Sequence, residues 1–319
     1  MPPQDAGDPP TQGVGKLGSV TLCIATYRRQ ERLDALLNDI ELQSRLPDEV
    51  VIVDNDATGS AKAVVDGRIA KGTPFPIRYD IQPLKNISLT RNRTVAMAAG
   101  EWLAFIDDDE RAPRPWLQQL IDAAAHFRAD GVLGPVEPIV PDTAPAWIRR
   151  GRFYDFHHML TGTVIPPNRL RFGNVLLRGS SVRGVPGPFD PAYGLTGGED
   201  GDLLSRLTLG GARLVWCDEA VVHEPVEAAR LSLRWLMRRS LSGGQDFAKH
   251  SLEGRYGPMS GASRALFFVR ALLQALIAGI LTVIFLPLGR HRAARWLTTL
   301  SANLGKLSVF FGWRYREYA

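Results

Sequence analysis

Asp107, Asp108 and Asp109 stand in a row where the apolar run Trp102-Leu103-Ala104-Phe105-Ile106 stops. Three adjacent carboxylates repel one another unless a cation is shared among them. Hard oxygen ligands suit Mg2+ or Mn2+, ions that commonly carry a substrate's phosphates. The plain alternative is an acidic turn in solvent. Other polar residues recur in comparable places. Thr26 and Tyr27 follow an apolar run at 19–25, and Asp54, Asn55 and Asp56 follow another at 49–53. Further on, Gly197-Gly198-Glu199-Asp200-Gly201-Asp202 leads into a helical pattern. A carboxylate there can cap the helix or, facing a crevice, act as a general base. His223 ends the run Ala220-Val221-Val222 and is either a satisfied core histidine or a group that reaches a metal or phosphate.

These residues need elements to position them. Short apolar runs at 19–25, 49–53, 77–82 and 102–106 read as strands. Helical spacing separates them: Leu33, Leu36, Leu37 and Ile40 in 31–43, then 60–71, then a segment capped by Ser88 and reaching 98. A further helix is expected over 116–127, and strands over 131–138, 173–178 and 213–217. Strand and helix alternating at this rhythm predict an α/β fold, a mostly parallel sheet flanked by helices. Aspartate is a poor strand residue, so each strand should end at its acidic cluster. In a parallel sheet those ends share one edge, which is where ligands bind. Several coincident clusters favour a phosphate-and-metal site over a set of solvated turns.

The chain has 319 residues, enough for a substantial core. Cys23 and Cys217 both lie in apolar runs, which predicts reduced core thiols rather than a disulfide framework. The net charge of +5 hides an asymmetry: residues 1–227 hold 24 Lys and Arg against 30 Asp and Glu, and residues 228–319 hold 14 against 3. A basic segment implies an anionic partner, and because this one also carries the longest apolar run, the partner should be a membrane surface and not nucleic acid. Residues 1–17, rich in Pro, Gly, Gln and Asp, read as a disordered tail without the apolar stretch of a signal peptide. Their Gly13-Val14-Gly15-Lys16-Leu17-Gly18 formally matches a dinucleotide motif, but it follows no strand and opens no helix. Residues 139–170 form a Pro-rich stretch with Trp147, Phe153, Tyr154 and Phe156, as a binding loop would. His157 and His158 are adjacent and could ligate a metal, although such pairs more often pack or face solvent. The sequons at Asn86 and Asn92 fall in the expected nucleotide region and read as chance.

Taken in order, these motifs resemble the inverting family 2 glycosyltransferases of GT-A fold, and more loosely the bacterial exopolysaccharide glycosyltransferases. The likeness rests on Thr26-Tyr27-Arg28-Arg29, Val53-Asp54-Asn55-Asp56, Leu89-Thr90-Arg91-Asn92, the Gly100-to-Asp109 segment with its DXD pattern, Gly198-Glu199-Asp200 as the ED pair, and His223. It covers about residues 19–225. It implies that Thr26, Tyr27 and Glu31 line a nucleotide pocket, that Asp54 bonds the base, usually uracil, with Asp56 beside it, and that Arg91 approaches the base or the diphosphate. Asp107 and Asp109 would hold Mn2+ or Mg2+ and the ribose, with Asp108 between them; His223 would approach the metal or diphosphate. Glu199 would belong to the nucleotide-sugar site and Asp200 would be the catalytic base. A third Asp at position 108 is a departure that leaves the metal contact open between Asp108 and Asp109. The expected reaction moves a sugar from a nucleotide-diphosphate donor, a UDP sugar first, to a lipid-linked or polysaccharide acceptor. A nucleotidyltransferase would want a glycine-rich loop after the first strand, which Thr26-Tyr27-Arg28-Arg29 lacks. A binding protein without catalysis would not need Asp200.

The glycosyltransferase domain is expected over 18–227 and a basic helical region over 228–319. In the latter, 231–241 reads as a basic amphipathic helix broken at Gly243-Gly244. No charged residue occurs from Ala271 to Gly289. Nineteen helical residues span roughly 28 Å, close to the ~30 Å hydrocarbon core. A spanning helix, an interfacial or re-entrant pair, and a soluble helical cap all fit this stretch. The first two set the site at the cytoplasmic face of the membrane, beside a lipid-linked acceptor.

Overall fold

The computed structural model describes residues 17–156, 158–313 and 315. The proposed tail, apart from Leu17, and His157 lie outside the described residues. Four parallel strands carry the first half: β1 (Val20–Thr26), β2 (Glu49–Asp54), β3 (Ile77–Ile81) and β4 (Trp102–Ile106). They alternate with α1 (Gln30–Glu41), α2 (Lys62–Lys71) and α3 (Ile87–Met97), and α4 (Trp116–His126) follows. Then come β5 (Gly131–Leu133), β6 (Val136–Ile139), α5 (Ala146–Gly151), β7 (Asn174–Arg178), α6 (Gly179–Arg183) and α7 (Glu199–Leu209). After β8 (Leu214–Trp216) and β9 (Val222–Pro225), three long helices close the chain: α8 (Leu233–Leu252), α9 (Gly261–Phe285) and α10 (Arg290–Phe310).

The main sheet has the order β3-β2-β1-β4-β7-β5-β8, with only β7 antiparallel to its neighbours. Strand residues alternate between two cores. Val20, Leu22 and Ile24 of β1 pack with α1, α2 and α4, and Cys23 packs with α3, α6 and α7 on the other face. The chain runs outward from β1 to β3 and then returns to place β4 on the other side of β1. That reversal opens a crevice at the carboxyl ends of β1 and β4, where Thr26 and Asp107 lie.

Three local expectations differ from the structure. Asn86, not Ser88, caps α3, its Oδ1 accepting from the Leu89 amide at 3.0 Å. The run 131–138 is two strands in different sheets: β6 leaves the main sheet after Gly134-Pro135 to pair with β9. A Cβ on Gly134 would lie 2.3 Å from the Ala220 carbonyl oxygen, and Pro135 has no N–H to continue a ladder. Finally, α8 runs straight through Gly243-Gly244. A Cβ on Gly244 would meet the Ala302 carbonyl oxygen at 2.0 Å, and one on Gly305 would meet that of Leu241 at 2.1 Å. Reciprocal glycines let α8 and α10 cross in backbone contact, and the packing overrides the helix-breaking tendency of glycine.

Gly243 is exposed, with open space where a Cβ would go. Gly243→Ala should therefore stabilise the protein by about 0.5–1 kcal/mol through helix propensity. Gly244→Ala should destabilise it by about 1–3 kcal/mol through overpacking. Urea unfolding of both variants checks the opposite signs.

Candidate active site

Neutralisation of buried carboxylates organises the crevice. Asp108 is buried at the end of β4; Thr26 Oγ1 donates to it at 2.7 Å and Arg29 Nη1 at 2.9 Å. The Thr26 bond spans the gap between β1 and β4. Burial still lifts the Asp108 carboxyl to about 6, against the pull of Arg29. Asp109 is enclosed by Arg29 at 2.9 Å, Arg230 at 3.4 Å and Arg32 at 3.5 Å. Asp107 is the triplet's most open member, with a side chain 44% exposed and Arg91 Nη2 at 3.0 Å. The next residue, Glu110, is buried; its Oε2 accepts from the Asp107 amide, and desolvation, reinforced by Asp107, raises its carboxyl well above the usual range.

Arg91 on α3 links the two halves of the site. Its Nη1 lies 2.6 Å from Glu199 Oε1 on α7, while Nη2 holds Asp107. Phe172 and Phe189 flank the guanidinium at 4.7 and 5.8 Å. Glu199 is buried, and its second oxygen, Oε2, has no hydrogen-bond partner among the described residues. Burial raises its carboxyl, Arg91 opposes that, and Asp200 adds repulsion. Asp200 is half-buried on the first turn of α7, where its Oδ1 accepts from the Gly201 amide at 2.7 Å. Gly197 and Gly198 make this turn with φ of +79° and +94°, a geometry open to glycine. The N-cap is Gly198, so neither Asp200 nor Asp202 caps α7. Asp202 instead pairs with Arg206 and Arg255 at 2.7 Å each.

The other expected residues are placed as follows. Asp54 is fully buried and organises its own loop, accepting from the Asp56 and Ala61 amides, Ser60 Oγ and Tyr79 Oη. Asp56 bonds Arg28 at 2.7 Å, which with the Thr58 amide holds its carboxyl at about 2. Tyr27 is half-buried, with Arg28 and Lys85 over its ring at 5.1 and 5.4 Å. Glu31 is exposed on the first turn of α1, without an ionic or hydrogen-bonding partner among the described residues. The main chain of His223 bridges Arg111, two residues past the triplet, while its Nδ1 faces Glu137 at 3.7 Å. Among the described residues, no three His, Cys, Asp or Glu side chains form a ready metal cluster, so Asp107, Asp109 and His223 do not converge. His158 pairs with Asp218 at 2.8 Å. Asn86 and Asn92 both have internal partners, Asn92 exchanging bonds with the main chain of Phe189. Burial raises both thiols, Cys23 to about 12 and Cys217 to about 11, as inert core positions require. Sequence reasoning missed Arg29, Arg32, Arg230 and Glu110 as members of the site. Arg29 lies within a recognised motif and Glu110 adjoins one, but no local signal marks Arg230, which lies 121 residues from its partner Asp109.

Comparison with known proteins agrees with this geometry. The model of Glycosyl transferase family 2 matches residues 21–181. The succinoglycan biosynthesis protein ExoM of Rhizobium meliloti is 36% identical over 243 residues, which are 75% of this chain and 77% of that protein. The chain belongs to glycosyl transferase family 2. It is a glycosyltransferase. The galactofuranosyltransferase GlfT1 of Mycolicibacterium smegmatis is similar at 24% identity, over 65% of this chain and 70% of its own. Among solved structures, a mannosyltransferase from Pyrobaculum calidifontis in complex with GDP-Man and Mn2+ matches with a TM-score of 0.62 at 18% identity, covering 94% of this chain and 88% of that one. S. aureus TarS 1-349 in complex with UDP-GlcNAc matches with a TM-score of 0.52 at 16% identity, covering 93% of each. These likenesses establish the fold: the family 2 sheet here is of GT-A type.

Removing Arg91 would strand Glu199 in the interior, where an unpaired buried charge costs about 3–5 kcal/mol. Arg91→Met should lose stability on that scale, and adding Glu199→Gln should restore part of it. A urea-unfolding double-mutant cycle measures the coupling; strictly additive losses would mean that the pair is not coupled.

Proposed function

We propose that this family 2 enzyme is an inverting, metal-assisted transferase that moves a sugar from a nucleotide diphosphate, a UDP sugar first, onto a lipid-linked saccharide of a bacterial exopolysaccharide. The observation that carries the reading is the Arg91 bridge, which draws the helix bearing Asp200 to the side of the crevice facing Asp107. One carboxylate with access to the crevice is what an inverting transfer needs. Asp200 takes the proton from the acceptor hydroxyl as that oxygen attacks the anomeric carbon, and the bond to the nucleotide diphosphate breaks on the opposite face. Arg29, Arg32 and Arg230 around Asp109 supply positive charge for the departing diphosphate. Tyr27, Asp56 and Thr26 line the nucleotide side. Asp54 acts one step removed, by holding the loop that carries Asp56.

The residues fit a divalent cation. Asp108, Glu110, Glu199 and Glu224 are all raised by desolvation, Glu199 Oε2 lacks a partner among the described residues, and Asp107 is open to the crevice, so this edge can take a cation. Mg2+ and Mn2+ are commonly carried by one or two carboxylates together with substrate phosphates. We assign that role to Asp107 and Asp109 and leave His223 to the diphosphate. When bound, the ion would neutralise the charge that develops on the diphosphate. The exopolysaccharide acceptor is supported by the likeness to the succinoglycan biosynthesis protein.

We further infer that the enzyme sits on the cytoplasmic face of the membrane with α9 in its surface. Leu266, Leu273, Leu276, Ile280 and Val283 of α9 are each more than half exposed. Arg264, Arg270 and Arg292 border this face and suit anionic headgroups. An in-plane helix is favoured over a spanning one by the packing of α10. It runs back along α9, with Phe285 near Trp296 and Phe268 near Phe310, and it is locked to α8 by the reciprocal glycines. A spanning α9 would have to carry that partner into the hydrocarbon.

Asp200→Asn should lower transfer by about 10²–10⁴-fold while calorimetric binding of UDP is retained. Equal activity in the variant would remove Asp200 as the base. Chelation with EDTA should abolish turnover and added Mn2+ or Mg2+ restore it; undiminished activity in chelator would refute the metal assignment.

A further inference from the structure

A cavity of about 390 Å³ lies where the three terminal helices meet. It is lined by Leu233 from the first turn of α8, Thr282 from α9, Leu286 just past the end of α9, and Arg290, Ala293, Ala294 and Leu297 from α10. Ala293 and Ala294 are almost fully buried, so the cavity floor is made of small side chains rather than filled by large ones. Its volume is in the range of small-molecule sites. The lining is apolar apart from the Thr282 hydroxyl and the Arg290 guanidinium, and that hydroxyl is already committed to the Ala278 carbonyl at 2.7 Å. The cavity is therefore suited to a hydrocarbon chain and offers one cation to whatever the chain carries.

Two further observations say what the cavity adjoins. Leu286, on the cavity wall, is 66% exposed and continues the exposed apolar face of α9. At the other side, Leu233 is only three residues beyond Arg230, and three residues of extended chain cover at most about 10 Å. Arg230 Nη2 reaches Asp109 at 3.4 Å, and the Arg230 carbonyl accepts from Tyr154 Oη at 2.6 Å. Tyr154 also stacks on Trp235 of α8, with ring centroids 6.0 Å apart. Arg290 is exposed and rests on the face of Trp147 at 4.8 Å. The cavity thus adjoins the exposed face of α9 on one side and the segment that carries Arg230 on the other, with the Arg290 guanidinium, held against Trp147, at its edge.

We propose that this cavity seats the apolar chain of the lipid-phosphate-linked acceptor, with Arg290 receiving its phosphate. The proposal rests on the lipid-linked acceptor in the reading above, and adds the site that recognises it. Thr282 is half-buried and lies outside the machinery of the reaction, so Thr282→Phe fills the cavity from the α9 side. The test compares the full-length protein with this variant on two acceptors with the same saccharide, one on a long polyprenyl diphosphate and one on a short water-soluble chain. Binding of farnesyl phosphate is measured in parallel by calorimetry.

The wild type should prefer the long-chain acceptor, and Thr282→Phe should raise KM for it by about tenfold, equivalent to about 1.4 kcal/mol, with kcat/KM for the short-chain acceptor unchanged. Arg290→Gln should weaken farnesyl phosphate binding, and Arg290→Lys should recover part of it. A long-chain preference that survives Thr282→Phe would overturn the cavity assignment and leave the acceptor reading intact. Equal use of both acceptors by the wild type would overturn the acceptor reading and this proposal with it. Displacement of farnesyl phosphate by phosphatidylglycerol at equal concentration would also overturn the proposal, because the cavity would then be a general lipid contact.

Discussion

The structure depends on neutralising acid at one sheet edge. Asp107, Asp108, Asp109, Glu110, Glu199 and Glu224 crowd the carboxyl ends of the strands, and four arginines, Arg29, Arg32, Arg91 and Arg230, are distributed among them. Apart from the local pair of Arg230 with Glu224, each arginine comes from a different segment from its carboxylate. Arg91 belongs to α3 and binds α7, and Arg230 comes from just before α8 and binds the end of β4. The ion pairs therefore tie together the segments that border the crevice. Buried pairs of this kind contribute modestly to net stability, and their breakage is costly. The arrangement favours one geometry of the site more than it favours a large folding free energy.

The same edge explains why the terminal helices are not a detachable appendage. α8 carries Asp246, whose Oδ1 lies 3.1 Å from where a Gly198 Cβ would be, and His250, whose ring lies 3.0 Å from the corresponding point on Gly201. Arg255, just beyond α8, pairs with Asp202. The turn that presents Asp200 is thus shaped by glycines against a helix from the basic region. α10 is in turn fixed to α8 by the Gly244 and Gly305 contacts, and α9 packs on α10 through Ala271 and Ala275, clustered with Leu307 and Leu300. Small residues at each step bring the apolar face of α9 into a rigid relation with the active site. A membrane attached to α9 would hold the crevice at a set height.

Much of this was legible in the chain. The short apolar runs at 19–25 and 102–106 specified buried strands, and strand ends at acidic residues specified the ligand edge. The motifs from Thr26 to Asp200 carried the resemblance to the family 2 glycosyltransferases, and the family model and the likeness to ExoM agree with it. Those features are local, set by propensity, periodicity and the poor fit of aspartate to a strand interior. Tertiary structure decided what depends on long-range partners. It showed that Asp54 is used up by its own loop, that Asp109 is the member caged by arginines and Asp107 the open one, and that Arg230 belongs to the site. It also decided that Gly243-Gly244 does not break a helix, since only the approach of Ala302 reveals what Gly244 is for. Spacing along a chain records which faces are apolar and where an element must stop. It does not record which charge will be opposite which, because that is fixed only when segments a hundred residues apart compete for the same buried carboxylate.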